Sequence, residues 1–244
     1  MSERPKTVFL RGTETELGEP VAASLLTRGA TVALYDREQP ARAADLAARL
    51  QAQGLPGRVI DLTPLTGSED GPNLPFLALQ QADIPLDAVV HLHLPDADTT
   101  EASLLAYRDK LRPMLTEAAD HLQATNSPGI VVNQFLMPTL FVDHPLAAAM
   151  VEARNAISGL IRFATVKYGK AGVRVTGLMV GLLELPTLRA MATERVTAYK
   201  TPLGRWLSVA EVAGTINFLC LDSGYMTGQM LVLDGGMTGG LNGV

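Results

Sequence analysis

Residues 7–36 constrain the fold more than any other stretch of the chain. Thr7-Val8-Phe9-Leu10 is a short apolar run with strand character. Arg11-Gly12-Thr13-Glu14-Thr15-Glu16-Leu17-Gly18 follows as a glycine-bearing turn, and a helical pattern runs on to about Arg28. Gly29-Ala30 then turns the chain into Thr31-Val32-Ala33-Leu34-Tyr35, which ends at Asp36. Two strands joined by a helix lie parallel, so this is a βαβ unit with an acid after its second strand.

The alternation continues to the C-terminus. Ala41 to Gln53 is helical, and Arg58-Val59-Ile60-Asp61-Leu62 is a third strand. Thr63 to Pro75, rich in Gly, Pro, Ser and acids, reads as an exposed loop. Leu86 to Leu92 is a fourth strand, and Thr100 to Gln123 a helix. Ile130-Val131-Val132-Asn133 is a buried strand, and a long helix spans about Pro145 to Lys167, with Ala149, Met150, Ala153, Ile157 and Ile161 at helical spacing. Tyr168 to Gly172 is a helix stop, and Val173 to Met179 a sixth strand. Glu184 to Thr201 reads as a small helical excursion. Ser208-Val209-Ala210-Glu211 opens another helix with a capping-box pattern, and Gln229 to Asp234 is the last strand. The expectation is α/β: a doubly wound parallel sheet with helices on both faces, forming one domain over residues 1–244.

Composition excludes several function classes. The 244 residues are 47% hydrophobic, enough for one large core, and no apolar run reaches membrane-spanning length. The net charge of −5, without a basic block, argues against nucleic acid. The N-terminus leads into a strand rather than a signal-peptide core. The single Cys220 cannot form an internal disulfide, so a reducing cytoplasm is the expected setting.

Late segments carry a family resemblance. Tyr168 to Val175, Pro202-Leu203-Gly204-Arg205-Trp206, Glu211-Val212-Ala213, Phe218-Leu219, Thr227-Gly228-Gln229 and Asp234-Gly235-Gly236 occur in the order and spacing of the short-chain dehydrogenase/reductase family. The resemblance spans essentially the whole chain and implies a Rossmann-type fold.

The family's chemistry is not matched. Its cofactor turn, Thr-Gly-x-x-x-Gly-x-Gly, keeps its first and third glycines as Gly12 and Gly18 but has Glu16 in place of the middle one. A carboxylate about 4 Å from a phosphate charge costs on the order of 4 kcal/mol at an effective dielectric near 20. Asp36 and Asp61 match the acids that hold the adenosine of NAD in the family; as strand-end caps or inherited relics they would bind nothing. The family's Asn-Asn-Ala-Gly after strand four reads His91-Leu92-His93-Leu94, and Leu94 would fill the space a glycine leaves. His91 and His93 with Asp96 and Asp98 invite a metal, but the spacing defines no ligand set, and none is expected.

The family's active site uses serine, tyrosine, lysine and asparagine. The matching positions here are Leu136, Met150, Arg154 and Arg108. No serine lies between Ser127 and Ser158, no tyrosine between Tyr107 and Tyr168, and no lysine between Lys110 and Lys167, so a slip of register cannot restore the set. Neither Met nor Leu moves a proton at neutral pH, and Arg stays protonated. Halohydrin dehalogenases, which resemble the family, use Ser-Tyr-Arg; Arg154 fits their arginine, but the other two are missing. Enoyl reductases of this fold space tyrosine and lysine more widely, and there is no tyrosine here to space.

The resemblance therefore implies a non-catalytic subunit that binds no cofactor itself. An active paralogous partner would supply NAD and the tyrosine, in a hetero-oligomer and most simply a heterotetramer, with an acyl-CoA alcohol as a candidate substrate. Two alternatives stay open: a nucleotide sensor using Asp36 and Asp61, and an enzyme with chemistry relocated to His144 or His91.

Overall fold

The computed structural model describes residues 4–36, 40–65, 74–94, 99–136, 145–191 and 201–238. The first half runs β1 (Thr7–Arg11), α1 (Gly18–Thr27), β2 (Thr31–Leu34), α2 (Pro40–Ala52), β3 (Arg58–Asp61), α3 (Leu74–Gln81) and β4 (Ala88–His91). The second runs α4 (Glu101–Ala124), β5 (Ile130–Leu136), α5 (Ala147–Tyr168), β6 (Arg174–Val180), α6 (Pro186–Met191), α7 (Val209–Asn217) and β7 (Met230–Leu233). The seven strands form one parallel sheet in the order β3-β2-β1-β4-β5-β6-β7. The order reverses between β1 and β4, which makes the C-terminal ends of those strands the place where sheets of this kind bind ligands.

The central strands begin as apolar runs because helices cover both faces of the sheet. Val8, Phe9 and Leu10 of β1, Val89 and Val90 of β4, and Ile130, Val131 and Val132 of β5 are fully enclosed. α4 packs along α5, and α1 packs against α2 and α7.

Local chemistry sets the helix ends. Thr100 caps α4: its Oγ1 accepts from Ser103 N (3.1 Å), and Ser103 Oγ accepts from Thr100 N (3.0 Å). The capping box expected at Ser208 and Glu211 opens α7. α5 runs into a short 3-10 turn that stops at Gly172, whose φ of +79° is the left-handed conformation favoured by glycine.

One expectation is corrected. The segment read as exposed loop through Pro75 gives way at Leu74 to α3, whose Leu74, Pro75, Phe76, Ala78 and Leu79 are buried. Phe76 meets Phe9 edge-on (5.5 Å) and stacks on His121 (5.1 Å). This helix is short and apolar on nearly every side, so it shows no polar face to mark its period.

Candidate functional site

The turn after β1 is closed upon itself. Gly12 has φ +82°, and a Cβ there would lie 2.1 Å from the Leu92 carbonyl oxygen. A Cβ on Gly18 would lie 2.3 Å from the Thr13 carbonyl oxygen. Both glycines are therefore required for packing alone. Thr15 N and Oγ1 donate to Gly12 O (3.2 and 2.7 Å), and Gly18 N donates to Thr15 O (2.9 Å). The donors that would face a phosphate at a helix N-terminus are in part consumed within the turn.

Glu14 and Glu16 are exposed on this turn. With Glu19, Arg42 and Arg49 they rim a groove of about 920 Å³ above α1. Arg42 Nη2 donates to the Glu14 carbonyl oxygen (3.0 Å), while Arg49 pairs with Glu19 and Asp45. Asp36 is half-buried just beyond β2. Asp61 ends β3, and its Oδ1 accepts from Thr63 N (2.9 Å), which starts the following 3-10 turn.

Beyond that turn, a polar row crosses the sheet. Arg11, His91, Asn133 and Gly177 are register partners on β1, β4, β5 and β6. Arg11 reaches Glu117 of α4 (3.7 Å) and lies over the rings of Phe9 (5.4 Å) and Phe76 (5.2 Å). Burial pulls the guanidinium down from its usual pKa and pushes the Glu117 carboxyl up; the attraction of the pair opposes both shifts.

His91 is 1% exposed, and neither ring nitrogen has a hydrogen-bond partner among the described residues. Burial first, and the Arg11 charge second, hold its pKa well below the usual histidine range. Next to it, Gln134 Oε1 accepts from His93 N (3.0 Å), and the His93 ring lies flat on Tyr107 with centroids 3.7 Å apart. Burial, and then the charge of Glu14, push the Tyr107 phenol above its ordinary pKa, so it stays neutral. Sequence reading missed Arg11, Glu117, Tyr107 and Gln134. The one signal for them was an arginine closing an otherwise apolar strand.

The four positions aligned with the family's catalytic set sit in different environments. Leu136, at the end of β5, and Met150, in the first turns of α5, are 4% and 6% exposed and belong to the core. Arg108 points across the surface to Glu152 of α5 (2.6 Å) and to Asp109 (3.0 Å). Arg154 and Ser158 are half-buried and Arg162 is exposed, beside a recess of about 330 Å³ that Met179, Met230 and Val232 also line. Leu94 is half-buried against the core. Asp96, Asp98 and His144 lie outside the described residues. Glu184 is engaged by Arg189 (2.7 Å), whose guanidinium covers the Trp206 ring at 3.9 Å. Neither Leu136 nor Met150 carries a group that gains or loses a proton near neutral pH.

Known proteins agree with this architecture. A family model described as Enoyl-(Acyl carrier protein) reductase matches residues 113–238. The 2,5-dichloro-2,5-cyclohexadiene-1,4-diol dehydrogenase of Sphingobium indicum is 28% identical over 96% of this chain and 97% of its own. The 1-cyclohexenylcarbonyl-CoA reductase of Streptomyces collinus is 24% identical over 97% of this chain and 88% of its own. Among solved structures, a gluconate 5-dehydrogenase from Burkholderia cenocepacia J2315 in complex with NADP and tartrate superposes with a TM-score of 0.78 at 22% identity, covering 97% of this chain and 96% of that one. A family model matched over more than half of its length, on a seven-stranded parallel sheet with helices on both faces, makes this chain a member of the short-chain dehydrogenase/reductase family.

Proposed function

We propose that this chain is a non-catalytic subunit of a hetero-oligomeric short-chain alcohol dehydrogenase, with an active paralogous chain supplying NAD and the catalytic tyrosine. The observation that carries the reading is the burial of Leu136 and Met150 in the apolar core at the positions where the family places its serine and tyrosine. A proton cannot be exchanged with substrate through either side chain. Glu14 and Glu16 on the phosphate-facing turn add a charge that opposes a dinucleotide.

The retained scaffold supplies a surface for such a partner. α5 exposes Phe163 (50%) and Val166 (83%), and nothing lies within 4 Å of the Cβ position of Gly159 on the same helix. An apolar helix face with an open glycine suits close packing against another helix. The narrower resemblance is to the inactive subunit in the heterotetrameric dehydrogenase of anaerobic toluene degradation. That enzyme oxidises the secondary alcohol of a (hydroxy-phenyl-methyl)succinyl-CoA with NAD, so an acyl-CoA alcohol is the substrate class proposed for the complex.

Relocated chemistry at His91 is disfavoured by its enclosure beside Arg11. A nucleotide sensor would have to share Asp61 with Thr63 N, which donates to its Oδ1. The test is co-expression with the adjacent reading frame. Co-elution, with dehydrogenase activity that depends on this chain, supports the proposal. Separate elution with a neighbour fully active alone refutes it, as does NAD or NADP binding to the isolated chain in a calorimetric titration at millimolar cofactor.

A further inference from the structure

The C-terminal ends of β1 and β4 flank the point where the strand order reverses, and a sheet of this kind leaves a crevice there. An aromatic pair stands at its mouth. His93 lies two residues past β4, and Tyr107 sits in the second turn of α4. Their rings are 9° from parallel, with centroids 3.7 Å apart. Both residues are half-buried, so the stack sits where the interior meets solvent. It reaches across to the turn after β1. The Glu14 charge acts on the Tyr107 phenol, and a Cβ on Gly12 would meet Leu92, the residue before His93.

The two halves of the stack are held unequally. His93 N donates to Gln134 Oε1 (3.0 Å), and Leu92 N donates to Arg11 O (2.9 Å), so the segment after β4 is tied to the strands on both sides. The Thr100–Ser103 capping box fixes the start of α4. The Tyr107 side chain is held by packing and by no hydrogen bond. Its hydroxyl is enclosed and has no partner among the described residues. A buried tyrosine ordinarily satisfies its O–H. An orphaned hydroxyl costs about as much as an aromatic stack contributes, so the enclosed position of this ring is opposed from within. A change of side-chain rotamer carries the hydroxyl to water without moving α4.

We propose that Tyr107 is a displaceable plug: its ring fills a slot on the His93 imidazole face, and that slot takes a planar aromatic ring of a ligand once Tyr107 turns out to solvent. The ligand class is a neutral flat ring with a polar edge, because the slot already holds a phenol. A phosphate-bearing ligand is opposed by Glu14. An open state populated at about 0.1–10% gives such an equilibrium its usual range. The apparent affinity of the ligand is then about ten- to a thousandfold below that of an open slot. The inference does not rest on the subunit reading, since turning the ring out neither restores a catalytic group nor requires a partner.

The probe is p-cresol, the tyrosine side chain as a free molecule, titrated against the full chain by ligand-observed NMR. Tyr107→Ala empties the slot and should bind p-cresol at least about tenfold more tightly than the parent, which must first expel its own ring. Adding His93→Leu to that variant keeps bulk and removes the flat face, so binding should weaken about two- to tenfold, the worth of an aromatic stack. Displacement itself is read on the parent labelled with 3-fluorotyrosine. The Tyr107 fluorine signal, identified by its loss in Tyr107→Phe, should move towards the solvent-exposed position as p-cresol is raised to its solubility limit. A Tyr107 signal that stays fixed overturns the proposal, as does equal affinity of the parent and Tyr107→Ala. Binding unchanged by His93→Leu places the ring elsewhere and overturns it too. The labelled parent carries no substitution, so a variant that fails to fold still leaves the proposal open to refutation. None of these results bears on co-elution with the adjacent gene product, so the two proposals fail separately.

Discussion

Replacing His91 should remove about one proton's worth of acid sensitivity from the fold. His91 is enclosed, its ring nitrogens lack partners, and Arg11 is its register neighbour on β1. The folded-state pKa is depressed well below the usual value, by burial and then by the Arg11 charge. In the unfolded chain the ring titrates near 6.5. As pH falls below that value, the unfolded state takes up a proton that the folded state refuses. The stabilising contribution is therefore complete above about pH 6.5 and is lost as pH falls towards the depressed folded pKa. One proton corresponds to a slope of about 1.4 kcal/mol per pH unit. Between pH 7.5 and 5.5 the loss from this residue is about 1.4 kcal/mol, allowing for partial titration near 6.5.

His91→Leu keeps a side chain of similar size and removes the titrating ring. At pH 7.5 the variant should be as stable as the parent or about 1 kcal/mol more so, because a buried polar group without partners is replaced by an apolar one. Equilibrium urea unfolding at pH 7.5, 6.5 and 5.5, at constant ionic strength, measures both proteins. His121, whose pKa is also depressed by burial, contributes equally to both and cancels in the difference. The parent should lose about 1.4 kcal/mol more than the variant over this range. Parallel pH profiles would show that His91 takes up a proton in the folded state as readily as in the unfolded one, and the reasoning would be wrong.

Other consequences are checked by the same unfolding measurement. Gly12→Ala should cost at least about 2 kcal/mol, since the residue has φ +82° and a Cβ would sit 2.1 Å from Leu92 O; an unchanged midpoint refutes this. Ser208→Ala removes the acceptor for Glu211 N and should cost about 1 kcal/mol. In the same capping box, the Arg205 guanidinium first and the Ser208 donors next hold the Glu211 carboxyl at about 2, below its unfolded value. Its contribution is present above the unfolded pKa and is lost as pH falls towards 2, so Glu211→Gln should flatten the profile only on the acid side of about pH 4.5. Tyr168→Phe breaks a chain in which Lys167 Nζ donates to the phenol (2.6 Å) and the phenol donates to Asp120 (2.7 Å); a loss of about 1 kcal/mol is expected, and none would mean that solvent replaces both bonds.

The sequence by itself determined the order of the strands and of the longer helices, the parallel sheet, the capping box at Ser208 and the absence of serine from residues 128–157, tyrosine from 108–167 and lysine from 111–166. Each of these is written in local period, turn chemistry or the plain absence of a residue type, and no folding is needed to read them. Tertiary structure decided the rest. It enclosed α3, whose apolar circumference hides its period. It set His91 between Arg11 and Asn133, stacked His93 on Tyr107, and turned Arg108 towards Glu152, 44 residues away in the chain. It left Arg154 and Arg162 unpaired beside an open strand. Whether a buried ring is neutral, or an arginine has a partner, depends on what distant segments place beside it, and spacing along the chain does not record that distance.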